Sequence, residues 1–516
     1  MKTKITIGEI RPIGRIGPIG PIALLALLTL PALATNYYVR TDGSDTNNGK
    51  TNTTGGAWLT VDHALGSSGV PTTGGPHTLS ILTGTYTSTS YLNLNQAYST
   101  LTTVCTTTGS QDVTITGGSG SYNVLQGNVI SNLLFSNLTF TARSGSSYLL
   151  VFNENGSSGT ISNLNFVNCI FNGQSNLTTT IDAQSGSATS TQYVGFVSCT
   201  INGLIPTSSA IQIANGTALT NTTYGLTNCT INAAGIAVAN QAGFVNLTGC
   251  TVYSTGTNLN YPALYTFAGG NAPLVAWSIT NCTVTSGGQG AVLQFGALNV
   301  ANSTFLGRGA TASGLVAGED AASGQTVTGT ISGCTFFGDQ GEALIIGAGC
   351  LNMSVVSNVV HGGTDAIVLK RATNCLLTGC SGFSSFGNCA LLLKGAVGCT
   401  VTNNLIAGAD RAYALACYDG DPTYTSVSNT VKFNRIISTG AAASLLYWPT
   451  AGDGGANVID SNTYLTIRGS IFGTVLSSTN LSSLAAVQAA WSGYGVVGND
   501  QHSRDVTTPL EFASPY

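Results

Sequence analysis

One short phrase recurs along this chain, and it limits the fold more than any other feature. It reads Asn168-Cys169-Ile170-Phe171, Ser198-Cys199-Thr200-Ile201, Asn228-Cys229-Thr230-Ile231, Gly249-Cys250-Thr251-Val252, Asn281-Cys282-Thr283-Val284, Asn302-Ser303-Thr304-Phe305 and Gly333-Cys334-Thr335-Phe336. An earlier copy is Asn137-Leu138-Thr139-Phe140, and weaker later copies centre on Asn358, Cys380, Asn404, Arg435 and Asn462. The intervals vary from 21 to 32 residues. That spread excludes solenoids whose unit length is nearly constant. It fits a coil with constant strands and variable loops. Each copy sits in a run of period-2 alternation, such as Val194-Gly195-Phe196-Val197-Ser198-Cys199-Thr200-Ile201, which is the signature of a strand. Gly, Asn and Ser clusters separate the runs, and no helical pattern lies between them. Recurring strands of this kind stack in parallel, one coil on the next, as a parallel β-helix.

The cysteines follow from the same pattern. Thirteen in 516 residues are too few for a disulfide scaffold, and the number is odd. Placed in the repeat, they point inward and stack as small hydrophobes, with the neighbouring Asn forming ladders at the turns. Parallel Cβ vectors give a poor disulfide torsion, so free thiols are expected.

Composition removes other classes. Charged residues are only 7% of the chain, against roughly 25% in an ordinary soluble domain. With 43% hydrophobic residues and a net charge of −4, disorder is excluded. Helical bundles need charged outer faces that this chain lacks. Lys and Arg total 16, with none between Arg143 and Arg308, so no electrostatic nucleic-acid surface is expected.

Residues 1–34 differ from the rest. Lys2, Lys4, Arg11 and Arg15 precede the apolar run Ile22–Leu30, and Ala32-Leu33-Ala34 follows. This is the layout of a secretory signal cut after Ala34; an uncleaved docking arm is the alternative. The apolar run is shorter than the roughly 20 residues a bilayer span requires. The expected product is secreted or held at the cell surface, with no membrane insertion once the signal is removed.

The segment Tyr37-Tyr38-Val39-Arg40-Thr41-Asp42-Gly43-Ser44-Asp45-Thr46-Asn47-Asn48-Gly49, followed by Ala57-Trp58-Leu59-Thr60, resembles the opening of secreted bacterial proteins of the pectin-lyase-like right-handed β-helix superfamily. So do Val61-Asp62-His63-Ala64-Leu65 and Leu82-Thr83-Gly84-Thr85-Tyr86. The stretch Leu484–Trp491, with Asp500-Gln501-His502-Ser503 and Pro509-Leu510-Glu511-Phe512, is similar to their closing segment. The resemblance implies an all-β, single-stranded right-handed parallel β-helix with short helical caps at both ends. The expected division is a signal at 1–34, an N-terminal cap and first coil at 35–100, coils at 101–470 and a C-terminal cap at 471–516. Leu481, Leu484, Gln488 and Trp491 share a helix face behind Asn480, a suitable N-cap. Asp62 and His63 are expected to serve the opposite cap. The superfamily includes lyases, hydrolases, epimerases, phage tailspikes and adhesins, so the fold implies glycan as ligand without choosing a reaction.

Where charge is scarce, clusters stand out. The runs starting at Glu342, Asp365, Cys389 and Arg411 align at offsets of 23, 24 and 22. This stacks Glu342 beside Asp365, Lys370 on Lys394, and Arg411 two coils further on. If both carboxyls face solvent, they can approach to about 5 Å, as in a retaining glycosidase. Repulsion would then separate their pKa values. The same pair suits Ca²⁺. In a lyase, Lys370, Lys394 and Arg411 are the cations that could neutralise a uronate. Asp365 and Lys370 are five residues apart, so a shared face requires a bend in the strand. The plainer reading makes these residues solvated coil corners. A second patch holds Asp410, Arg411, Tyr413, Tyr418 and Asp419, where rings beside acids suit sugars and a surface turn is the alternative.

Two functions follow. One is an extracellular β-helix that binds a polysaccharide or cell-surface glycan and, as an enzyme, cleaves it by lyase or glycoside hydrolase chemistry. That enzyme would use Glu342, Asp365, Arg411 and Lys370, with Lys394, Asp410, Tyr413, Tyr418 and Asp419 holding substrate. The other is a non-catalytic adhesin, surface protein or tailspike-like fibre. Either a monomer or a homotrimer is compatible with the sequence.

Overall fold

The computed structural model describes residues 34–506, apart from segments 89–90, 118–122, 144–147, 153–158, 175–178, 184–190, 214–220, 242, 267–274, 319–324, 386–387, 409–412, 418–423, 440–444, 449–454, 468–471, 476–478 and 493–501. The signal segment therefore lies outside the described residues.

Among the described residues, the chain winds through three sheets of sixteen strands each. In winding order these are sheet A (Thr35–Val39 to Val458–Asp460), sheet B (Gly84–Thr87 to Arg504–Val506) and sheet C (Leu92–Asn93 to Thr479–Leu481). Apart from the last strand of sheet C, every strand pairs with its counterpart one coil away. All pairings are parallel except the last in sheet C, Gly473–Val475 with Thr479–Leu481. Successive coils are thus spaced by about 4.8 Å. The interior is one continuous apolar tube. Phe135, Phe166 and Phe196 stack in register at 5.1 and 5.2 Å, and Phe140 on Phe171 at 5.3 Å.

The recurrent phrase is the turn from sheet A to sheet B. Its first residue has a left-handed backbone, with φ of 53° at Asn168, Ser198 and Asn228, 55° at Asn281 and 64° at Gly249. Asn and Gly adopt this region at the lowest cost. The second residue turns inward and joins an axial ladder. Cys169, Cys199, Cys229 and Cys250 are buried there, each thiol donating to the carbonyl two residues earlier at 3.4 to 3.6 Å. From Asn358 onward the ladder increasingly uses amides. Asn404 Nδ2 donates to Asn434 Oδ1 and Asn434 Nδ2 to Asn462 Oδ1, both at 3.0 Å. The later copy is therefore centred on Asn434, one residue before Arg435. A second ladder, through Cys375, Cys399, Asn429 and Asn457, lines the turn into sheet A. All thirteen cysteines are free thiols.

The third residue of the phrase begins sheet B and faces outward. It forms a column through Thr85, Thr114, Thr139, Ile170, Thr200, Thr230, Thr251, Thr283, Thr304 and Thr335. Two residues on, a parallel column runs Thr87, Thr116, Thr141, Asn172, Asn202, Asn232, Tyr253, Thr285, Leu306 and Phe337.

Both ends of the tube are covered. Helix α1 (Val61–Leu65) is capped by Thr60, whose side chain accepts from the His63 amide. Asp62 accepts from the Ser88 hydroxyl at 2.6 Å. Helix α2 (Leu484–Ser492) buries Val487 and Trp491. Its N-terminal side-chain acceptor is Ser483, which takes the Ala486 amide at 3.3 Å. Asn480 instead lies in the preceding strand, so the helix starts one turn later than the cap residue predicts. Leu481 and Leu484 pack against the core beside it.

Candidate functional site

The candidate site lies on the outer face of sheet C. Its central column, in register from coil to coil, begins mostly polar, with Asn93, Gln126, Val151, Asp182 and Gln212. It then turns apolar. Val292, Val316, Ile345, Val368, Leu392 and Ala416 form a buried cluster outside the tube, joined by Cys389 and flanked by Tyr265, Tyr413 and Tyr447.

At the entry to these strands, alternation breaks. Ala366 and Ile367 both belong to the tube core, as do Ala390 and Leu391. The resulting bend puts Asp365 and Lys370 on the same outer face despite their odd spacing. Lys370 pairs in register with Lys394, and Asp365 with Cys389 and then Tyr413. Glu342 lies one coil before Asp365, since the Ala343 amide donates to the Asp365 carbonyl at 3.1 Å. The fold thus gathers Glu342, Asp365, Lys370, Lys394 and Tyr413 on one surface. Asp410, Arg411, Tyr418 and Asp419 lie outside the described residues.

The expectation that both carboxyls face solvent needs correction. Asp365 is only 3% exposed. Its Oδ1 accepts from the Cys389 amide at 2.8 Å and from the Cys389 thiol at 3.0 Å. Burial raises the Asp365 pKa, and the bonds from Cys389 and Asn388 and the charge of Lys394 oppose that rise. Burial, Asp365 and Glu342 together hold the Cys389 thiol well above its ordinary value. The physical reason is the apolar cluster, which closes over the carboxyl, while Cys389 and Asn388 supply its hydrogen bonds. Glu342 is half-buried and is the more accessible acid. Among the described residues, no group of three or more His, Cys, Asp or Glu is placed to share a metal ion.

The cationic side of this face is better built. Lys370 and Lys394 are half-buried neighbours, about 4.8 Å apart at the backbone. At the next corner the Arg371 guanidinium lies 3.5 Å over the Tyr424 ring, a cation–π arrangement that stiffens both groups. Tyr413 and Tyr447 stack at 4.3 Å with 15° between their planes. The Arg371–Tyr424 pair escapes a linear reading because 53 residues separate its members. Also missed was a stack on sheet B, where His361 lies between Phe337 and Phe383 at 5.1 and 5.2 Å. Its signal was present: each ring sits three residues after a ladder position.

Residues 263–472 match the family described as the right handed beta helix region. The fold is a right-handed parallel β-helix. Among solved structures it is similar to the Dettilon tailspike protein, at 14% identity and TM-score 0.36 over 75% of this chain and 60% of that one. The β-helix therefore spans 60% of the tailspike's length. It is similar to the A-module of a mannuronan C-5 epimerase of Azotobacter vinelandii, at 12% identity and TM-score 0.29 over 77% and 88%. A lacto-N-biosidase of Eubacterium ramulus matches at 9% identity and TM-score 0.27 over 92% and 68%. No curated protein matches this β-helix. Among the described residues, no helix is long and apolar enough to cross a membrane.

Proposed function

We propose that this protein is a secreted or surface-held β-helix that binds an acidic polysaccharide along the outer face of sheet C. The observation that carries this reading is the in-register pair Lys370 and Lys394 on the same outer face as the Tyr413–Tyr447 stack. Two cations one coil apart attract an anionic chain running along the axis. Further along that face the tyrosines offer ring surface and hydroxyls to a pyranose. The buried, hydrogen-bonded Asp365 supports binding over two-carboxylate hydrolysis. The catalytic extension therefore rests on Glu342 as general acid or base, with Lys370 and Lys394 neutralising a uronate.

The test is a glycan array with uronate-containing and neutral polysaccharides. Binding should be confined to the acidic ones and weaken as salt rises. The Lys370→Gln/Lys394→Gln double variant should lose most of it. Equal retention on neutral glycans, or no effect of the double variant, would remove sheet C as the site. Incubation with the bound glycan, followed for unsaturated products or new reducing ends, tests Glu342→Gln as a catalytic variant.

A further inference from the structure

The outer face of sheet B carries a second regularity, independent of the glycan site. Over ten consecutive coils from Thr85 to Thr335, nine residues of the first outward column are Thr, the exception being Ile170. The second column adds Thr87, Thr116, Thr141 and Thr285. Where it changes residue type, Asn172, Asn202 and Asn232 continue it, their amides joined at 2.8 and 2.9 Å. No pairing in this stretch slips register, and neither column holds a charged residue.

These columns make a two-dimensional lattice. Its repeat is about 4.8 Å along the axis and roughly 6.6 Å along the strand. Nine steps extend it for about 43 Å. Each Thr presents one hydroxyl and one methyl, and β-branching restricts its χ1. Beneath them Phe140, Phe171, Phe305 and Phe336 are fully buried, so the floor is stiff. Groups held this way lose little entropy on meeting a partner with the same repeat.

We propose that this face binds ice. Both lattice spacings lie close to the repeats of water oxygens on the prism face of hexagonal ice. The two columns are uncharged, complementing a surface of water dipoles that would exclude ions. Hydroxyls and amides can replace lattice water partners, while the methyl groups fit between them and order the contact water. Sugar polymers are a poorer match here. In these ten coils the two columns offer Tyr253 and Phe337 as their rings and no charged residue to orient a polysaccharide.

The test is partition of the purified full chain into a slowly growing ice hemisphere, with crystal shape and thermal hysteresis read in parallel. The native chain should enrich in the ice and facet the crystals. Thr200→Lys/Thr230→Lys, placed mid-lattice, should reduce enrichment several-fold with an unchanged circular dichroism spectrum. Thr402→Lys, on the outer face of sheet A, should leave enrichment intact. If the native chain is rejected from ice, or if both variants partition equally, the proposal fails. Retention on crystalline cellulose or chitin, abolished by the mid-lattice variant while ice is ignored, would assign the lattice to a polysaccharide surface instead. The Lys370→Gln/Lys394→Gln variant should still bind ice, so failure of either reading is distinguishable from failure of the other.

Discussion

At the residue scale, position within a coil determines what each side chain costs. Phe433 occupies the left-handed slot that Asn, Ser or Gly takes elsewhere, with φ 58° and 46% exposure. A bulky residue there costs roughly 1–2 kcal/mol. Phe433→Asn should therefore raise the urea midpoint, by about 1 kcal/mol of stability. Its neighbour Asn434 behaves oppositely. Its amide donates to Val401, Lys432 and Asn462 oxygens at 3.0 Å each, so Asn434→Ala should cost about 2–3 kcal/mol by orphaning buried partners. Two carboxyls should give stability opposite pH slopes. Burial raises the Asp460 pKa, but bonds from the His502 amide and ring outweigh it, and the net value is lowered. Its contribution is present above the unfolded value and is lost as pH falls through the folded one. Asp365 has a raised pKa, so its contribution is present in acid and is lost as pH rises through its folded value. In melts across acid to neutral pH, Asp460→Asn should weaken the acid-side loss, and Asp365→Asn should raise the midpoint at neutral pH.

At the element scale, a solenoid is most vulnerable at its open ends. Helix α2 covers the last coils with Trp491, which is fully buried and meets Trp448 edge-on at 5.5 Å. Trp491→Ala should cost about 3–5 kcal/mol. It should also expose strand edges, so thermal melts should show an earlier onset with aggregation. A leucine at the same position should recover much of the midpoint, because cover rather than the indole is what the coil end requires.

At the scale of the whole molecule, each coil contacts mainly its neighbours, and the tube interior is continuous from cap to cap. The thiols report that continuity. Twelve of the thirteen cysteines are buried and Cys105 is partly exposed, with its pKa raised by burial. A thiol reagent at neutral pH should label at most Cys105 in the native chain and all thirteen after denaturation. Early labelling of Cys169 or Cys399 in partial denaturant would locate which half of the tube opens first.

The repeat by itself determined the coil. Asn or Gly before Cys, then Thr and an apolar residue, encodes a left-handed turn, an inward thiol and an outward hydroxyl, all local consequences of backbone sterics and side-chain alternation. The offsets between runs likewise placed Lys370 on Lys394 and Glu342 beside Asp365, because parallel pairing preserves register. Only the tertiary structure decided how those residues are used. The break in alternation at Ala366 and Ile367, and the apolar cluster that closes over Asp365, depend on neighbours 23 or more residues away. Burial is a property of many chain segments meeting, so no local pattern could announce that one carboxyl is committed to Cys389 while two lysines remain side by side on the same face.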